Sequence, residues 1–165
     1  MLTALEKFKK IYTDIIVWLC AAVCMVILWI NVVNVILRYL TDISFIYTED
    51  VTVMGMLWIM GVGVSVGWWN REHLLINIID SFLSPKALEV LMFALDFVGV
   101  AAGILLFHFG RMTASINKGL KTSLIGFDES LRYWPVIVGG ALLTVAAVCC
   151  IIEQILKWKQ GGDKS

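Results

Sequence analysis

The 165 residues are 60% hydrophobic and 16% charged, against roughly 45–50% apolar and 25% charged in soluble domains. A water-soluble fold of this length could not hide that apolar surface, and a formal net charge of zero leaves no global basic field to attract nucleic acid.

The chain opens with Leu2, Leu5, Phe8, Tyr12 and Ile15 at helical spacing. Glu6, Lys7, Lys9, Lys10 and Asp14 fall mostly elsewhere around the wheel. This predicts an amphipathic interfacial helix over residues 1–14, lying along the inner membrane surface. From Ile15 to Leu37 run 23 residues without a charge, about 34 Å of helix against a hydrocarbon thickness of about 30 Å. That run outlasts the 7–15 apolar residues of a signal peptide, so it reads as an uncleaved anchor and the first span. A second charge-free run covers 51–69, a third span is expected over 88–109 with Asp96 inside it, and a fourth over 135–156. Between the second and third, Leu74, Leu75, Ile78, Ile79, Phe82 and Leu83 are apolar, whereas Asn77, Asp80, Ser81 and Ser84 gather on one side. This predicts another interfacial helix over about 73–84, ended by Pro85. The expected protein is an all-α integral membrane protein, with a four-helix membrane domain over 15–156 and a cytoplasmic tail over 157–165.

Tyr47, Trp68, Trp69, Tyr133, Trp134 and Trp158 fall at span ends, where an aromatic belt sits at headgroup depth. Trp18, Trp29 and Trp58 lie deeper and read as packing residues. Orientation follows the Lys and Arg residues of the flanks. Lys7, Lys9, Lys10, Arg71, Lys86, Lys157, Lys159 and Lys164 make eight on one side, and Arg38, Arg111, Lys118, Lys121 and Arg132 make five on the other. Both termini are therefore expected in the cytoplasm.

Few residues offer chemistry. Cys20, Cys24, Cys149 and Cys150 lie inside apolar runs without a CxxC spacing and read as small packing residues. A haem held between helices needs facing histidines at one depth, but His73 and His108 fall at opposite ends of the spans. Asp96 is costly within a span, about 2.5–3.5 kcal/mol on insertion scales. It reads either as a proton or sodium site or as a protonated or hydrogen-bonded contact between helices. Asn31 and Asn34 are expected to bond to a neighbouring helix. Gly63 with Gly67, and Gly99 with Gly103, carry the small-xxx-small spacing that lets helix backbones approach, within the chain or against a partner. Glu49 and Asp50 at the start of the second span suit a helix N-terminus. With no Gly-rich phosphate loop and no HExxH, neither an enzyme nor a bound cofactor is expected, and no catalytic, metal or substrate-binding residue is assigned.

The order Arg38-Tyr39, Glu49-Asp50, Trp58 and Gly61, then Arg71, His73 and Asp80, with Trp134-Pro135 opening the last span, resembles the DctQ family. These are the small membrane subunits of tripartite ATP-independent periplasmic (TRAP) transporters. The similarity covers roughly residues 10 to 155, departing at Asp50, where Glu is more usual, and at Glu72, where a small residue is frequent. It implies a bacterial inner-membrane subunit that scaffolds a large multi-helix membrane subunit. That partner would hold the sodium and substrate sites, and a periplasmic binding protein would deliver a small organic acid such as a dicarboxylate or a sialic acid. Two other readings are a self-contained four-helix transporter of small molecules, disfavoured by a first span without charge, and the anchor subunit of a redox complex.

Overall fold

The computed structural model describes residues 2–41, 45, 47–70, 85–121, 126 and 128–161. Four long helices account for nearly all of them: α1 (Leu2–Thr41), α2 (Thr48–Trp69), α3 (Pro85–Ile116) and α4 (Trp134–Gly161), the last entered through a 3-10 turn at Glu129–Tyr133. All four contain stretches long and apolar enough to cross a membrane, and each encloses one of the expected spans. In hydrocarbon the backbone must satisfy its own hydrogen bonds, and helices of this length do so internally.

Expected elements differ from this architecture in one respect. The amphipathic N-terminal stretch and the first span form one continuous helix of 40 residues, about 60 Å at 1.5 Å rise per residue, roughly twice the hydrocarbon thickness. No Pro or Gly interrupts residues 2–41, so nothing in the backbone forces a break. The expected interfacial helix over 73–84 lies outside the described residues, with Arg71, His73 and Asp80.

The helices stand in the spatial order α1, α2, α4, α3. Residue pairings set their directions. Ile27 meets Gly55 and Tyr12 meets Ser65, so α1 and α2 are antiparallel. Gly61 meets Pro135 and Gly139, while Trp69 packs on Ala146 and Cys150, so α2 and α4 are parallel. Gly110 meets Ile137 and Gly103 meets Thr144, so α3 runs against α4. The bundle therefore alternates direction along the chain and brings the start of α1 and the end of α4 to one end.

Glycine makes the tight crossings possible. A Cβ on Gly139 would strike the backbone of Gly61, and one on Gly61 would strike the carbonyl of Pro135. One on Gly103 would fall 2.9 Å from the Gly140 carbonyl oxygen. Close approach of this kind substitutes dispersion contact for the hydrophobic drive that lipid cannot supply. Small residues continue down the buried face of α4, where Gly139, Gly140, Leu143, Ala146, Ala147 and Cys150 are all enclosed. α1 is the opposite case, and among its described residues only Ile27 is buried.

Candidate assembly surfaces

At the end of the bundle where α2 and α4 begin, Asp50 in the first turn of α2 accepts a hydrogen bond from Arg132 Nη2 at 3.0 Å. The pair ties α2 to the 3-10 turn before α4. Asn31 Nδ2 donates to Thr52 Oγ1 at 2.8 Å and to the Ile27 carbonyl at 2.8 Å, and so links α1 to α2 as expected. Asn34 differs: its Oδ1 accepts from the Phe45 amide at 2.8 Å and holds the connection after α1 rather than another helix. Asp128 caps the 3-10 turn through the Ser130 amide at 3.0 Å and also accepts from the Gly119 amide at 3.2 Å. The Ser130 hydrogen bonds, then that of Gly119, hold its carboxyl below the ordinary aspartate range.

The other end is closed by aromatics. Ser65 donates to the Val62 carbonyl at 2.7 Å, so the Tyr12 hydroxyl, 2.7 Å from Ser65 Oγ, is the donor in that pair. Phe8 and Tyr12 both pack on Trp69, with ring centroids 5.9 and 5.1 Å away. Trp69 is 1% exposed, which corrects the expectation that it belongs to an aromatic belt: it faces the small side chains of α4 and is covered by the start of α1. Trp68 Nε1 donates to Asp96 Oδ1 at 3.3 Å, so the carboxyl of α3 is 3% exposed and bonded between two helices. Gly99 lies directly under the Trp68 ring.

Of the two small-residue pairs, Gly99 and Gly103 are consumed by packing inside the chain, whereas among the described residues nothing lies within 4 Å of a Cβ added to Gly63 or Gly67. They continue an exposed stripe with Met56 and Met60, at spacings of four, three and four residues. The deep tryptophans also turn outward. Trp18 and Trp29 are 76% and 62% exposed and Trp58 lies at the surface, so they do not pack within this chain as expected. Arg38, in the last turn of α1, and Glu49 are exposed. His108 is exposed on α3, and among the described residues no three His, Cys, Asp or Glu side chains gather as a metal site.

Neither the Asp50–Arg132 pair nor the Gly61–Gly139 crossing was assigned from sequence. Arg132 entered there only as a charge that sets orientation. An acidic residue opening one span and a basic residue preceding another on the same side is the signal that could have paired them.

Residues 29–157 match the DctQ component of the tripartite ATP-independent periplasmic transporters. The chain is also 19% identical over 137 residues to a Haemophilus influenzae protein described as a TRAP transporter small permease, covering 83% of this chain and 85% of that one. A match over this share of the sequence, on a bundle of four membrane-spanning helices, shows that the chain belongs to the DctQ family of TRAP transporter components.

Proposed function

We propose that this chain is the scaffold of a TRAP transporter in the bacterial inner membrane, with both termini cytoplasmic. It holds a large membrane subunit in the bilayer during sodium-driven uptake of a small organic acid delivered by a periplasmic binding protein. The observation that carries this reading is the stripe of Met56, Met60, Gly63 and Gly67 on α2, apolar and uncovered by any described residue of the chain. Small residues of this kind permit helix-to-helix approach where lipid offers no hydrophobic drive. Glu49, exposed beside the engaged Asp50, supplies a contact for the partner or receptor. Sodium and substrate sites belong to the large subunit, and this chain works without a cofactor of its own.

Tagged chain, co-expressed with its neighbouring membrane gene, should carry the large subunit through purification in mild detergent. Gly63→Leu with Gly67→Leu should abolish that co-purification while leaving this chain folded, because a Cβ at either position meets nothing within 4 Å among the described residues. Migration of the wild-type chain only as a homo-oligomer, or full retention of the large subunit by the double variant, overturns the proposal.

A further inference from the structure

A cleft of about 230 Å³ opens where the first turns of α1 pass the end of α2, lined by Lys9, Lys10, Thr13, Asp14 and Asn70. We infer that it binds the phosphodiester headgroup of an anionic phospholipid.

Several observations converge on that chemistry. Thr13 Oγ1 donates to Asn70 Oδ1 at 3.5 Å, which joins the two walls through their polar side chains and leaves the Asn70 amide nitrogen as a donor. Lys9 and Lys10 supply two cationic donors on the same stretch of helix, and among the described residues neither is held in an ion pair. The volume is below the roughly 300–1,000 Å³ of pockets that take a whole small molecule, so it fits a headgroup whose remainder lies outside. Apolar surface is available for that remainder. Phe8, Ile11 and Ile15 are more than half exposed on the same turns of α1 and offer a track for acyl chains.

Charge selects among phosphates. Among the described residues that line the cleft, two lysines against Asp14 leave one net positive charge, and the partial negative charge at the end of α2 lowers it further. A singly charged phosphodiester is matched by that balance. A dianionic phosphate is not, because its second charge would face Asp14 without a counter-ion. This site stands independently of the scaffold reading, since it requires no partner subunit.

The full chain, purified in neutral detergent, is titrated with dioleoylphosphatidylglycerol, dioleoylphosphatidylcholine and inorganic phosphate, and bound species are counted by native mass spectrometry. Phosphatidylglycerol should be retained over phosphatidylcholine. Each of Lys9→Gln and Lys10→Gln should weaken it about fivefold and the pair about 25-fold, from roughly 1 kcal/mol per surface lysine, while Lys121→Gln at the opposite end should leave it unchanged. Asp14→Asn should tighten phosphatidylglycerol binding and admit the phosphate dianion. Equal retention of the two lipids, indifference to both lysine variants, or displacement of phosphatidylglycerol by equimolar inorganic phosphate overturns the assignment.

Discussion

Replacing Gly139 by Ala tests the crossing on which the bundle depends. A Cβ there would stand 2.7 Å from the Gly61 carbonyl carbon and 2.8 Å from its Cα, where ordinary contact begins at 3.4 Å. The obstruction is backbone, with the Gly61 carbonyl oxygen nearest of all, and has no rotamer to adopt, so α2 and α4 must part by about 1 Å and surrender dispersion contact along the seam. Overpacking of a tight core costs about 1–3 kcal/mol, of which the better helix propensity of Ala returns about 1 kcal/mol. Gly67→Ala is the matched control. It gains the same propensity and meets nothing within 4 Å among the described residues, so it should be neutral or stabilising by up to about 1 kcal/mol. Because the propensity gain is common to both, the two variants should differ by about 1–3 kcal/mol, about a 5- to 150-fold ratio of unfolding constants. Titration of each protein from dodecylmaltoside into sodium dodecyl sulfate, followed by circular dichroism, reads that difference. Midpoints within about 0.5 kcal/mol of each other would refute the crossing.

The Asp50–Arg132 bridge joins a side chain 14% exposed to one 36% exposed, so a double-mutant cycle with Asp50→Asn and Arg132→Gln should give a coupling of about 1 kcal/mol rather than several, weakening in molar salt. Asp96→Asn keeps an oxygen for Trp68 Nε1 and should leave stability within about 1 kcal/mol, whereas Asp96→Leu should cost about 1–3 kcal/mol. Loss of uptake by a fully folded Asp96→Asn transporter would instead mark the carboxyl as an ion site. Because hydrogen bonds lower the Asp128 pKa in the folded state, its stabilisation of the turn is complete above the ordinary aspartate range and disappears as pH falls through the lowered value. Amide exchange at Gly119 and Ser130 should accelerate over that interval, and Asp128→Asn should remove the pH dependence.

Hydropathy made the four spans legible because a bilayer imposes one length and one polarity on whatever crosses it. It conveys nothing about azimuth within lipid, where apolar residues face both core and solvent alike. Trp69 and Trp29 illustrate the loss: each sits in an apolar run, yet the first is enclosed by Tyr12 and α4 while the second is exposed. The glycine spacing had the same limit. Gly63–Gly67 and Gly99–Gly103 are identical as patterns, and only the placement of Trp68 and Thr144 distinguishes the occupied pair from the open one. Asp96 was readable as an anomaly from cost alone, and of its two readings the hydrogen bond from Trp68 is the one visible in this chain. The length of α1 was hidden because its early charges, Lys7, Lys9, Lys10 and Asp14, resemble the end of a span although they lie on an unbroken helix.

The parallel pairing of α2 with α4 has a consequence for synthesis. The end of α2 at Trp69 and the end of α4 at Gly161 are separated by 92 residues, about 5–18 s of translation at 5–20 residues per second. For most of that interval, until the start of α4 is made, the backbone of Gly61 has no Pro135 or Gly139 to meet, and Trp69 lacks Ala146 and Cys150. What α2 does have is α1, already made, with the Tyr12–Ser65 and Asn31–Thr52 hydrogen bonds spaced along the pair. The long first helix, which stays beside α2 in the finished bundle, is thus the neighbour available to α2 before α4 emerges from the ribosome.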